Sequence, residues 1–323
     1  MIHAWILGYG GMLGSAIHRQ LELQDVTVYR YYERFDWKNI ERLRVQFRLA
    51  LTEFTSRLTL KNDRWEIYWA AGVGAMSSNT VDLHSETIAL EEFLALLKKK
   101  LIPLNFPGLI GFASSAGALY SSSSDFEITE LSTVTSQTDY AKAKLRQEQM
   151  LISFLSGLKS VNLLLARFST LYGPGQSSGK QQGLLSHIAR CALRHKPIEI
   201  FVPLDTLRDY MFSDDAALAF INSLRVLRID ECKYRIQIIA SERSITISQI
   251  ISTFNRLMQK HLRLICSRNR LSSLYVSRTS YRSIYRYNSD ADLRGHHTLT
   301  EGISTLLQAE RIAYIDVDNP SKS

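Results

Sequence analysis

The chain has 323 residues, 45% hydrophobic and 22% charged. This is ordinary globular composition, which excludes a disordered or fibrous chain and suits one large or two interlocked domains. The net charge is +8, and the three cysteines (Cys191, Cys232, Cys266) have neither CxxC nor zinc spacing, so no metal site is expected and a reducing cytoplasm fits best.

The opening MIHAWILGYGG reads as a strand, not as a basic leader, so no signal peptide is expected. Residues 3–7 are an apolar run that ends at glycines, and residues 15–23 follow with helical periodicity. Residues 26–31, rich in β-branched and aromatic side chains, form the second strand. Residues 66–71 are read as the fourth strand, 109–113 as the fifth and 161–168 as the sixth. Residues 86–100 and 139–158 are strongly helical. The apolar stretch 151–165 is broken by Lys159 and serines, so no membrane insertion is expected. Strands alternating with helices predict an α/β fold, a doubly wound parallel sheet covered on both faces.

After Tyr172-Gly173-Pro174-Gly175 the texture changes to short strands (198–202, 234–239) and helices (184–194, 248–261, 301–309). The expected division is a nucleotide-binding domain over 1–172 and a mainly substrate-binding α/β domain over 173–323. Segments near 211–239 return to the first. Between residues 256 and 294 lie nine basic residues and two acids. The segment lacks an evident recognition helix, so it reads as a solvated basic face and no nucleic acid is expected.

Gly8-Tyr9-Gly10-Gly11-Met12-Leu13-Gly14 follows the first strand and opens the first helix. Glycine there lets the backbone turn tightly and approach a pyrophosphate at the helix N-terminus. The GxGxxG pattern fails at Leu13, whereas GxxGxxG fits with Gly8, Gly11 and Gly14. The residue ending the second strand reads the adenosine ribose, an acid for a 2′-hydroxyl and an arginine for a 2′-phosphate. Arg30 falls at that point, with Glu33 as the competitor, which favours NADP over NAD.

Ser115 stands at the end of the expected fifth strand. Twenty-five residues on stands Tyr140, with Lys144 one helical turn later on the same face. An ammonium beside a phenol favours phenolate, which predicts a lowered tyrosine pKa and an acid/base for carbonyl–alcohol interconversion. Lys142 points to another face.

The glycine loop, Ser114-Ser115, Tyr140–Lys144, the segment 167–175 (RFSTLYGPG) and the segment 208–215 (RDYMFSDD) together resemble the extended short-chain dehydrogenase/reductases, the NAD(P)-dependent epimerase/dehydratase family. The resemblance implies a Rossmann domain, a Ser-Tyr-Lys site and a homodimer packed through the helix that carries Tyr140. It also implies a nucleotide-activated sugar as substrate. Ser115 would orient the reacting oxygen, Tyr140 transfer its proton and Lys144 hold the nicotinamide ribose. The loop from Gly8 to Gly14, Met12 and Leu13 included, would hold the dinucleotide, with Ala70, Ala71 and Gly72 passing alongside it. Arg208 and Arg278 would contact the substrate diphosphate, although a salt bridge from Arg208 to Asp214 or Asp215 is the alternative.

Three departures narrow the reaction. Ser115-Ala116-Gly117 stands where the family's dehydratases carry Thr-Asp-Glu, so dehydration is not expected. Thr170 replaces a substrate-contacting asparagine. One extra residue in the serine segment leaves Ser114 as an alternative to Ser115. A 4-ketoreductase and a 4-epimerase acting in surface polysaccharide or deoxysugar biosynthesis both survive. A non-catalytic NADP-binding redox sensor of the same fold is the alternative class.

Overall fold

A computed structural model describes residues 1–72, 80–176, 183–228, 232–267, 278–285 and 297–318. The first half runs β1 (Ile2–Leu7), α1 (Met12–Glu22), β2 (Thr27–Tyr29), α2 (Ile40–Ser56), β3 (Arg64–Trp69), α3 (Thr80–Lys100), β4 (Gly108–Ser115), the short α4 (Ala116–Leu119), α5 (Asp139–Phe154) and β5 (Val161–Phe168). There follow β6 (Thr170–Tyr172), α6 (Leu184–Leu193), β7 (Ile198–Ile200), β8 (Leu207–Phe212), α7 (Ser213–Val226) and β9 (Tyr234–Ile239). The chain then forms β10 (Ser244–Thr246), α8 (Ile247–Met258), β11 (Leu264–Cys266) and α9 (Leu299–Asp318).

The main sheet has six parallel strands in the order β2-β1-β3-β4-β5-β9. Its inner strands are apolar almost throughout because helices cover both faces. One face packs Trp5, Phe47, Phe54, Trp65, Trp69 and Phe93 into a core that Trp37 closes at its margin. The other packs Ile17, Tyr68, Phe220 and Leu224 from α1, β3 and α7. The fold is therefore α/β, a doubly wound parallel sheet.

The strand count needs correcting. No strand lies between β2 and β3, so residues 64–69 form the third strand, 108–115 the fourth and 161–168 the fifth. The intervening chain is α2, whose buried Leu43, Phe47, Ala50, Leu51 and Phe54 recur at helical spacing behind an Asn39 cap. After β1 the chain moves to one side for β2 and then crosses to the other for β3. The carboxyl ends of β1 and β3 thus flank a topological switch point, where open α/β sheets bind ligands.

Past β5 the chain builds a second core from Ile188, Phe254, Ile303 and Leu306. There β8 pairs with β6 and β10, and β7 pairs with β11. Between the two, α7 and β9 pack on the main sheet. Of the basic stretch, residues 268–277 and 286–294 fall outside the described residues. Arg282 within it pairs with Glu127 at 3.0 Å and Glu242 at 3.8 Å. Among the described residues, no helix is long and apolar enough to cross a membrane, and no cluster of three His, Cys, Asp or Glu could hold a metal.

Candidate active site

The glycine loop lies at the switch point. Gly8 has φ +90°, and a Cβ there would stand 2.4 Å from the backbone nitrogen of Ala71. A Cβ on Gly14 would come within 2.2 Å of the Gly8 carbonyl oxygen, and one on Gly11 within 3.3 Å of it. A side chain on Gly10 would meet nothing within 4 Å. The packing thus demands glycine at 8 and 14 and presses on 11, which is the GxxGxxG spacing. Helix α1 begins at Met12 behind Gly11 with no side-chain cap, so the amides of Met12, Leu13 and Gly14 open its N-terminus towards an anion. Gly175, at φ +88°, brings the turn after β6 to within 3.5 Å, from its Cβ position, of the Met12 Cα.

Arg30 directly follows β2, and its guanidinium lies 4.5 Å from the centre of the Tyr9 ring in the glycine loop. Glu33 accepts from the Gln46 amide at 3.0 Å. Ala70 donates its backbone amide to Leu7 at 2.8 Å, which holds Ala70, Ala71 and Gly72 against the loop. A cradle that side chains would fill, an uncapped helix and an exposed arginine fit an NAD(P)-type dinucleotide.

Ser114 and Ser115 separate cleanly. Ser114 is buried and donates to Glu148 Oε1 at 2.6 Å. Ser115 ends β4, caps α4 by accepting from the Ala118 amide at 3.2 Å, and lies close enough to the Tyr140 phenol to lower its pKa. Tyr140 and Lys144 share one face of α5, with Nζ 5.9 Å from the Tyr140 ring centre and 5.0 Å from that of Phe112. Lys142 is exposed beside Asp139.

The expected lowering of the Tyr140 pKa does not survive. Burial raises it, and although Lys144 and Ser115 lower it, Glu86 raises it further, so the net direction is upward. Burial alone would lower Lys144, yet Glu86 and Tyr140 more than reverse that and its pKa rises. At neutral pH the pair is phenol and ammonium. Glu86, from α3, was not singled out by motif. Its signal was an acid on the apolar stripe of Leu83, Leu90 and Leu94.

Thr170 is exposed on β6, opposite Tyr210 of β8. Arg208 donates to the Leu207 carbonyl at 2.9 Å, and its charge lowers the pKa of Tyr281 against a larger rise from burial. The Tyr281 hydroxyl and Ser115 Oγ both lie 4.0 Å from the position a Gly117 Cβ would take, so Tyr281 joins Arg208 to the serine turn. Of the two carboxylates considered as partners of Arg208, Asp214 pairs with Arg19 and Asp215 with His297 at 2.8 Å. Arg278 is exposed, with its guanidinium 3.8 Å from the Phe126 ring centre, although its backbone bridges Leu207. His187 on α6 lies against Cys191 at 3.8 Å, away from this cluster.

Residues 4–234 match the model of the NAD dependent epimerase/dehydratase family. The chain belongs to that family. Over 149 residues it is 30% identical to the dTDP-4-dehydro-6-deoxyglucose reductase of Escherichia coli, a stretch that is 46% of this chain and 45% of that relative. Its fold is similar to that of UDP-glucose 4-epimerase from Thermotoga maritima, solved with UDP-glucose, at a TM-score of 0.73 and 17% identity over 97% of this chain and 100% of that one. It is similar also to RMD from Pseudomonas aeruginosa, solved with NADPH, at a TM-score of 0.72 and 17% identity over 96% and 99%.

Proposed function

We propose that the protein is an NADP-dependent reductase of a nucleotide-activated ketosugar, acting at C4. The observation that carries this reading is the Tyr140 phenol beside Ser115 at the carboxyl end of β4, with the Lys144 ammonium 5.9 Å from its ring on the same face of α5. A phenol poised in this way is a proton donor to a carbonyl oxygen. Ser115 donates to the same oxygen and holds the carbonyl against Tyr140. As the carbonyl carbon takes up hydride, Tyr140 delivers its proton to the oxygen, so that C=O becomes CH–OH. The resulting phenolate is stabilised by Lys144 and then recovers a proton from solvent. Gly8, Gly10, Gly11, Met12, Leu13 and Gly14, with Ala70, Ala71 and Gly72, would hold the dinucleotide, which supplies hydride when bound. Lys144 would also reach its nicotinamide ribose. Arg208 would contact the substrate diphosphate, and Thr170 and Arg278 would line its approach.

The reductase relative and the arginine after β2 support reduction over epimerisation. The epimerase reading rests on the similarity of the fold to UDP-glucose 4-epimerases. The test is to supply UDP-, GDP- and dTDP-linked 4-ketosugars with NADPH and follow its oxidation. Consumption of one equivalent per sugar reduced supports the reductase. Interconversion of 4-hydroxyl epimers with tightly retained NAD and no net consumption overturns it. A homodimer packed through α5, a place in the cytoplasm and a role in surface polysaccharide or deoxysugar biosynthesis belong to the same reading and rest on the family resemblance.

Arg30→Asp is expected to move cofactor preference from NADPH towards NADH, because a carboxylate repels a 2′-phosphate and accepts from a 2′-hydroxyl. Titration of both dinucleotides by fluorescence checks it. A variant that keeps the wild-type ratio shows that Arg30 does not read the ribose.

A further inference from the structure

We propose that Glu86 is a positioning residue of this site, its carboxylate fixing where the Lys144 ammonium sits and how much of that positive charge reaches Tyr140. The inference rests on the reading of Ser115, Tyr140 and Lys144 as the proton-transfer set.

The geometry comes from α3 and α5 lying side by side. Glu86 Oε1 is 2.9 Å from Lys144 Nζ, and both side chains are only 5% exposed. Gln147, the next buried position on α5, donates to the same Oε1 at 3.3 Å and to Thr87 Oγ1 at 3.2 Å. The carboxylate is thus tied to α5 at two points. Lys144 makes a further contact with the Ala113 carbonyl of β4 at 3.4 Å. The ammonium is therefore anchored between an anion on one side and the phenol one turn away on the other.

The surrounding charges leave Glu86 as the one that matters. On α5, Glu148 also acts on Lys144, but its carboxylate is held by Arg167 of β5 at 2.6 and 3.0 Å and accepts from Ser114 of β4. Tyr120, beyond α4, meets Arg167 at 2.5 Å, and Tyr281 packs against Tyr120 and Tyr140 without carrying charge at neutral pH. On α3, Asp82 and His84 are exposed. Glu86 faces the ammonium directly in a buried setting, where a charge is felt more strongly than in water.

This arrangement counters a familiar expectation. A lysine beside a tyrosine promotes phenolate, but a lysine already paired with a carboxylate does so weakly. Glu86 raises both Tyr140 and Lys144, so its role is to keep the proton on the phenol, the form a reductase consumes. The sign for a variant follows. Removing the Glu86 charge lowers the pH at which Tyr140 ionises, and proton donation fails earlier as pH rises.

Glu86→Gln in the full chain is the test, because glutamine keeps the oxygen that accepts from Lys144 and removes only the charge. Tyrosines labelled with 13C at Cζ are followed by NMR across the pH range, with Tyr140→Phe assigning the Tyr140 signal. Tyr140 is expected to ionise about one pH unit or more below wild type, and the alkaline limb of kcat/KM is expected to move in the same direction. An unchanged Tyr140 titration overturns the proposal. If Glu86→Gln does not fold, Glu86→Asp draws the charge back by one methylene and shifts Tyr140 the same way by less. A Glu86→Asp variant that titrates with the wild type overturns it equally. The NMR readout needs no sugar. A wild-type protein that reduces no nucleotide ketosugar would therefore count against the function alone.

Discussion

Replacing Tyr140 with Phe is expected to lower turnover on a nucleotide ketosugar by roughly 10²- to 10⁴-fold, the range that a positioned general acid contributes. Dinucleotide affinity should change little, because Gly8, Gly14 and the open N-terminus of α1 are untouched. The wild-type profile has a matching sign. Tyr140 ionises above its ordinary range, so kcat/KM should hold through neutral pH and fall only as alkaline conditions strip the phenol. Steady-state kinetics of both proteins from pH 6 to above about pH 10 give the comparison. A phenylalanine variant with wild-type turnover would remove Tyr140 from the chemistry, whereas a wild-type protein with no turnover would favour a non-catalytic dinucleotide-binding regulator.

The second large effect concerns stability. Arg167 of β5 and Glu148 of α5 form a bidentate pair, at 3.0 and 2.6 Å, with both side chains nearly inaccessible. Arg167→Met leaves the carboxylate buried with only Ser114 as a donor. Breaking such a pair from one side costs about 3–5 kcal/mol, a fall in Tm on the order of 10 °C for a chain of this size. Adding Glu148→Met to the first change should recover most of the loss, since a buried pair contributes little over well-packed apolar side chains. Calorimetry of the single and double variants decides the matter. A double variant no more stable than Arg167→Met would mean that Tyr120 and Ser114 carry the cluster.

The sequence made the chemistry more legible than the architecture. Gly8, Gly11 and Gly14 could be found because the chain has no sterically permitted substitute at two of those positions. Tyr140 and Lys144 could be found because helical spacing alone puts them on one face. Arg30 was placed from a strand read over 26–31, and β2 itself ends one residue before it, at Tyr29. The strand numbering went astray at residues 40–56, where Arg, Glu and Gln are interspersed among Leu43, Phe47, Ala50 and Phe54. The spacing of those apolar positions was nevertheless the decisive sign of a helix. The direction of the Tyr140 shift was not readable at all. It depends on Glu86, 54 positions away along the chain, and on the dryness of the pocket where α3 and α5 meet, which are properties of tertiary packing. Ser114 and Ser115 likewise differ only in which way a strand turns its side chains.

All four tryptophans, Trp5, Trp37, Trp65 and Trp69, belong to the aromatic core on one face of the main sheet. Intrinsic emission from this protein is therefore a local signal. It follows the melting of that single layer and is blind to the core built around Ile188, Phe254 and Ile303. Helix content, by contrast, is spread over both. Fluorescence and far-ultraviolet dichroism recorded on the same denaturation ramp superimpose only if the two cores come apart together. Where they diverge, the gap between the two curves measures how independently the core around Ile188, Phe254 and Ile303 holds its shape.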